Sequence, residues 1–217
     1  MHHVRQPAIL YFGTPVVLIA TRNEDGSSNL APMSSIFWLG WRCMIGLAAT
    51  SKTTQNILRA GECVLNLPDD GMAVAVDRLA LTTGSNPVPE GKAKRGYVYC
   101  ADKFSRAGLT AQPSDIVAAP RVAECPVQLE AKLEATRQMA QKDWPGGAMC
   151  FELRILRAHI DDSITMEADQ NRVDPDLWRP LVMSFQKFFG LGRKLEPSTL
   201  ATVPETMYRT PDHAAAL

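Results

Sequence analysis

Between Val127 and Thr136 the chain alternates apolar and polar side chains without a break. Val127, Leu129, Ala131, Leu133 and Ala135 interleave with Gln128, Glu130, Lys132, Glu134 and Thr136. Local propensity favours a helix here, because Glu130-Ala131-Lys132-Leu133-Glu134-Ala135 consists mostly of good helix formers. A helix with this pattern has no continuous apolar face, whereas a strand puts every apolar member on one side. The segment therefore reads as a half-buried strand, and that choice moves the whole chain toward an all-β architecture.

The other segments agree. Pro15 to Thr21 is apolar and β-branched, and Asn23-Glu24-Asp25-Gly26 supplies a turn, after which Asn29 to Ala31 reads as the returning strand. Ser34 to Trp41 and Met44 to Ala48 read as two more, with Gly40 to Arg42 in the turn between them. Lys52 to Ala60 is a short helix that stops at Gly61, with Ser51 or Thr53 as its N-cap. Cys63 to Leu67 is again strand, and a helix is expected across Met72 to Leu81. Thr82 to Gln112, rich in Gly, Pro, Ser and Lys, reads as a long excursion from one domain rather than a linker. Met149 to Ile160 is a long strand joined to the Val127 strand by Trp144-Pro145-Gly146-Gly147. Many strands with few short helices point to a closed or nearly closed antiparallel barrel.

Length and charge set the outer bounds. For 217 residues and 23.8 kDa, surface scaling gives about 9,900 Å² folded against about 34,500 Å² extended, enough for one core without staples. Lys+Arg 23 balance Asp+Glu 23, which argues against a general phosphate-backbone binder and leaves room only for a local anion site. No apolar run reaches the ~18 residues that cross a bilayer. Cys43, Cys63, Cys100, Cys125 and Cys150 are scattered without a C-x-x-C pair, and the N-terminus carries no signal-peptide pattern, so a reducing cytoplasm is expected. His159 is the one histidine away from the termini, too few for a multi-histidine metal site; none is expected. No G-x-G-x-x-G follows a strand, which argues against a Rossmann dinucleotide domain.

Two segments carry chemistry. In Asn29-Leu30-Ala31-Pro32-Met33-Ser34-Ser35, small side chains and a proline let a flat ligand approach the backbone, and Asn29, Ser34 and Ser35 offer polar groups. In Ala48-Ala49-Thr50-Ser51-Lys52-Thr53, leading to Asn56, a helix N-terminus with Ser, Lys and Thr makes a phosphate seat. Plain N-capping by Ser51 or Thr53 and a solvated Lys52 are simpler readings of the same residues. His159 beside Asp161-Asp162 is a strand-end polar group or a group near a bound ligand. Phe104, Phe185, Phe188 and Phe189 serve in packing or in stacking. Gly190-Leu191-Gly192-Arg193-Lys194 is a surface loop or a second phosphate contact.

Taken in order, these segments resemble the flavin reductase-like family, which folds as an FMN-binding split β-barrel. The likeness runs from about Pro7 to Glu205 and includes Leu10-Tyr11-Phe12-Gly13-Thr14-Pro15-Val16-Val17, Asn29 to Ser35, Ser51-Lys52-Thr53 with Asn56, and Gly61 to Asn66. It continues through Lys103-Phe104-Ser105 with Gly108-Leu109, and Pro120 to Pro126.

The resemblance implies FMN with its ring edge along Asn29, Ala31, Pro32, Met33, Ser34 and Ser35, and its phosphate at Thr50, Ser51, Lys52 and Thr53 with Asn56. It implies a homodimer with the flavin near the subunit interface, and hydride transfer from NAD(P)H to flavin N5. The protein then needs to hold the nicotinamide about 3–3.5 Å from N5 and exclude water; no particular acid or base is required, and no catalytic side chain is nominated. A partner oxygenase would use the reduced flavin. Two alternatives remain: an FMN-retaining reductase of a quinone, nitro compound or metal chelate, and a non-catalytic flavin-binding or electron-transfer module. Residues 1–165 would form the barrel, and 166–217 an extension packed on it or on the dimer partner.

Overall fold

The computed structural model describes residues 1–140, 142–143, 146–195 and 198–215. Trp144 and Pro145 of the expected turn lie outside the described residues.

Seven strands form one antiparallel sheet. They are β1 (Val17–Arg22), β2 (Ser28–Met33), β3 (Ile36–Leu39), β4 (Arg42–Ala48), β5 (Glu62–Leu67), β6 (Val127–Met139) and β7 (Ala148–Ile160). Their order in space is β2-β1-β5-β6-β7-β4-β3. The two edges, β2 and β3, are consecutive in sequence and joined by only Ser34 and Ser35, so the sheet must curl until its edges meet. No ladder seals them; the Gly46 N–H donates to the Ser35 carbonyl at 2.8 Å beside the seam. The result is a split barrel. Pro32, which cannot donate to a ladder, sits on the edge strand.

Period-2 patterning fills the interior. Val17 and Ile19 of β1, Cys43, Ile45 and Leu47 of β4, Leu129 and Ala131 of β6, and Phe151, Leu153 and Ile155 of β7 point into one core. Burying each large side chain there stabilises by roughly 1.5–3 kcal/mol. The opposite faces of β1, β2 and β5 carry a second core of Val16, Leu18, Ala20, Leu30 and Val64, covered by Val76, Leu79, Phe104, Val117 and Val122. This is why β1 is an unbroken apolar run: both of its faces are buried.

The excursion and its flanks make that cover. Helix α1 (Lys52–Ala60) ends as expected at Gly61, whose φ of 71° and N–H to Ile57 O bond of 2.8 Å close the last turn. Instead of one helix over Met72 to Leu81, a single 3₁₀ turn leads into α2 (Ala73–Asp77). The chain then leaves the helix: Leu79 is buried, Leu81 adopts a φ of 54°, and Thr82–Thr83 pair in parallel with Val98–Tyr99. Two further helices, α3 (Glu90–Ala93) and α4 (Lys103–Ala107), complete the layer.

The strand expected at β6 is there, but neither half is half-buried: the first is covered on both faces, and beyond Ala131 only Leu133 is even partly buried. Val127 to Ala131 are all buried, including Gln128 and Glu130, because the loop at 113–122 covers the second face. After Asp169–Val173, which pairs with Thr165–Met166, the chain returns to the barrel. Val182–Ser184 pairs with Thr14–Pro15 and with Lys187–Phe189, and Leu181 seats in the outer core.

Candidate functional site

The seam between the barrel edges opens into a cavity of about 840 Å³. One side is apolar and made by strands: Ala31, Pro32 and Met33 of β2, Ile36 and Phe37 of β3, Met44 to Ala48 of β4, and Met139, Ala148 and Cys150 from the far ends of β6 and β7. The other side is polar and made by the α1 N-terminus and the excursion. A flat apolar body with a charged tail matches this division.

The polar side begins at Ser51. Its extended backbone and its hydroxyl, which accepts from Thr54 N at 3.1 Å, make it the N-cap of α1. The N–H groups of Lys52 and Thr53 precede the first intrahelical bond, from Gln55 N to Ser51 O, and remain available at the positive end of the helix. Thr53 is buried and accepts from Asn29 Nδ2 at 3.2 Å, tying the helix start to the edge strand. Both segments singled out in the sequence thus meet in one cavity.

Among the candidate residues, Asn29, Ala31, Pro32, Met33, Ser35, Ser51, Lys52 and Thr53 line the cavity. Ser34, Thr50 and Asn56 do not. Asn56 is buried and its amide donates to Thr21 Oγ1 at 3.0 Å and Asn23 Oδ1 at 2.8 Å. Its visible work is to moor α1 to the first hairpin, and any effect on the site passes through that helix.

The excursion adds residues that sequence reasoning missed: Thr82, Thr83, Gly84, Lys92, Arg95, Tyr97 and Lys103. Lys103 is only 3% exposed, and among the described residues it makes no hydrogen bond or ion pair. Burial first, and the neighbouring Lys92 second, push its ammonium down from 10.5 to about 8. Lys92 is lowered by burial and then by Arg95; its Nζ lies 3.2 Å from Thr83 Oγ1. Tyr97 lies under both cations, 5.7 Å from Lys92 Nζ and 5.5 Å from Arg95 Cζ. With Lys52, four cations line the cavity, and among the described residues no carboxylate does. The Lys-Phe-Ser segment at 103 was legible as a family motif; its place beside the cavity was not.

These groups fit FMN. Asn29 and Thr14 are among the lining residues, and Asn29 Oδ1, an acceptor, and Thr14 Oγ1, a hydroxyl that can donate or accept, are buried without a partner among the described residues. Gly84 lets the backbone close on the site: a Cβ there would stand 2.5 Å from Asn29 Oδ1. The α1 N-terminus with Lys52 suits a phosphate ester, and the apolar side suits a ring system.

The remaining sequence candidates lie elsewhere. His159 does not line the cavity; its Nε2 is 2.8 Å from Glu130 Oε1. Burial would raise the Glu130 carboxyl, but the Asp115 N–H, the His159 ring and the N–H groups of Ile116 and Val117 together hold it below its ordinary value. Asp115, Glu130 and His159 have ligand atoms within 4.8 Å of one another. Their lone pairs are already taken by those N–H groups and by Arg157, 2.7 Å from Asp115 Oδ2, so the cluster clamps the loop over β6. Phe104 and Phe188 pack in or against the outer core, and Phe185 meets Phe12 edge-on at 5.0 Å. Tyr11, Phe37 and Tyr97 are the aromatic residues at the cavity. The Gly190 to Lys194 loop is exposed, with Lys194 paired to Asp176 at 2.7 Å.

Comparison with known proteins places this arrangement. Residues 9–192 match the flavin reductase like domain, and the chain belongs to that family. It is 35% identical over 190 residues to the uncharacterized protein YdfE of Bacillus subtilis (strain 168), covering 88% of this chain and 89% of that one. Its fold resembles flavoredoxin of Desulfovibrio vulgaris (Miyazaki F), with a TM-score of 0.73 at 20% identity over 94% of this chain and 100% of the other. It also resembles nitrilotriacetate monooxygenase component B from Bacillus cereus, with a TM-score of 0.69 at 19% identity over 88% and 89%. The FMN-binding split barrel is the fold these share.

Proposed function

We propose that the protein is an NAD(P)H-dependent reductase that binds FMN in the seam cavity and acts as a homodimer. The observation that carries this reading is the junction of an apolar strand wall with the free N-terminus of α1 in one cavity. The ring edge would lie along Asn29 to Ser35, and the phosphate would be held by the N–H groups of Lys52 and Thr53 with the Lys52 ammonium. Bound FMN supplies the hydride-accepting chemistry, which the side chains here lack.

The chain's own task is binding, orientation and exclusion of water. Met33, Met44, Leu47 and Met139 give an adaptable apolar surface for a ring. Tyr11 at the cavity, with exposed Leu10 and Phe12 beside it, offers apolar surface at the mouth for a second subunit to cover. The similarity to a monooxygenase component B supports an oxygenase as consumer of the reduced flavin.

The test compares ligands with and without the phosphate. Lys52→Ala with Thr53→Ala is expected to weaken FMN binding at least ten-fold and riboflavin binding less than three-fold, read by flavin fluorescence. Equal losses would place the phosphate elsewhere. Bleaching of bound flavin within seconds of anaerobic NADH or NADPH addition marks a reductase, and no bleaching marks a carrier.

A further inference from the structure

The cavity holds more positive charge than one flavin phosphate can balance. A phosphate monoester carries about −1.5 to −2 near pH 7. Against it stand Lys52, Lys92, Arg95 and Lys103, with no carboxylate of the described residues in the lining. Lys52 lies at the start of α1 and is felt by Asp25. The other three have no such counter-charge among the described residues. Asp102, next to Lys103 in sequence, spends its carboxylate on Ser105 N at 3.0 Å and Ser105 Oγ at 2.6 Å. Glu90, near Lys92, is paired with Lys94 at 2.7 Å.

Three cations gathered without an acid repel one another, and burying one of them unpaired is costly. A fold tolerates such a group where a ligand supplies the missing charge. The buried, unpartnered Lys103 and the Tyr97 ring beneath Lys92 and Arg95 mark the spot. The cluster comes from the excursion, whereas the phosphate seat comes from β4 and α1, so two different parts of the chain each contribute an anion-binding wall.

We infer that Lys92, Arg95 and Lys103, with Tyr97, form a second anion subsite in the same cavity, which receives the pyrophosphate of the dinucleotide that reduces the flavin. This rests on the FMN reading above and adds the binding determinant of the second substrate. Guanidinium and ammonium groups clustered on one wall suit two adjacent phosphates, and Tyr97 gives a base or ribose a face to rest on. The nicotinamide end would then reach toward the apolar wall along the cavity.

Titration of inorganic pyrophosphate followed by calorimetry tests the inference directly. Two equivalents are expected on flavin-free protein and one on FMN-loaded protein, with no flavin released. In Lys92→Gln with Arg95→Gln, pyrophosphate binding to the loaded protein should weaken at least ten-fold while FMN affinity changes less than three-fold. The KM for NADH or NADPH should rise about ten-fold, and that for a reduced nicotinamide riboside, which lacks phosphates, should stay within two-fold. One equivalent on flavin-free protein, displacement of FMN by pyrophosphate, or an equal rise in KM for both reductants would overturn the inference. Failure of the chain to bind FMN would instead sink the FMN reading, and the flavin-free stoichiometry would still judge the second subsite.

Discussion

At the scale of single residues, Lys103 and Glu130 show two solutions to a buried charge. Glu130 is fully buried yet held below its ordinary value by three backbone N–H groups and the His159 ring, so its charge is satisfied inside the protein. Lys103 has no such partners and is lowered to about 8 by burial and by Lys92. A bound anion favours the ammonium, so binding near pH 8 should take up a proton. The pyrophosphate diester of a dinucleotide keeps its charge over this range, so any fall in affinity reports the protein. Affinity for the dinucleotide should therefore be greatest below pH 8 and drop up to ten-fold per unit above it, measured by titrations at pH 7, 8 and 9. Lys103→Met should flatten that profile as well as lower affinity. In the free protein the sign is opposite: between pH 8 and 10.5 the unfolded chain holds more protons, so this group's contribution to stability rises with pH.

At the scale of elements, α1 joins fold and site. Its buried face is Thr53, Thr54, Asn56 and Ile57, so it docks largely by hydrogen bonds: Thr54 Oγ1 donates to Ala48 O at 2.9 Å, and Asn56 bonds to Thr21 and Asn23. Sequence reading located the helix and its caps but not this polar docking, since neither Asn56 nor Thr54 reveals its partners across the chain. Two glycines separate the roles of the flanking loops. Gly84→Ala would place a Cβ 2.5 Å from Asn29 Oδ1 and 3.2 Å from Lys52 Cγ, so both site residues must move. FMN affinity should fall at least ten-fold with a small change in melting temperature. At Gly61 a Cβ meets nothing within 4 Å but the φ is 71°, so Gly61→Ala should cost about 1–2 kcal/mol of stability and leave FMN affinity unchanged. Calorimetric melts beside flavin titrations distinguish the two effects.

At the scale of the whole molecule, the protein exposes 13,352 Å², about a third above the ~9,900 Å² of a compact monomer of this mass. The excess goes with exposed apolar residues at both ends of the chain, including Leu10, Phe12, Leu195, Leu200 and Met207. The homodimer proposed above would cover such arms. Within the last fifty or so residues, Leu181 is buried against the barrel: its N–H donates to Pro68 O at 3.1 Å and its carbonyl accepts from Val16 N at 2.8 Å. Trp178 packs on the barrel interior. Ending the chain after Thr165 should lower the melting temperature by more than about 5 °C, since loss of one buried leucine alone costs about 2–5 kcal/mol. An unchanged melt would show an autonomous barrel.

What the sequence determined by itself was whatever depends on neighbours along the chain. Period 2 made β6 a strand against its helical propensity, Gly61 stopped α1, and Ser51 capped it, because patterning along a strand and closure of backbone hydrogen bonds are local constraints. The apolar edge at Asn29 to Ser35 and the helix start at Ser51 to Thr53 were legible for the same reason. Only the tertiary structure decided that β2 and β3 become the two edges of one seam, and that the excursion folds back to bring Lys92, Arg95 and Lys103 to it. Nothing in the local pattern of those cations distinguishes them from solvated surface charges. Their meaning comes from the long-range burial of Lys103 and from the lack of a carboxylate among the described residues of the cavity lining, and both are properties of the folded chain.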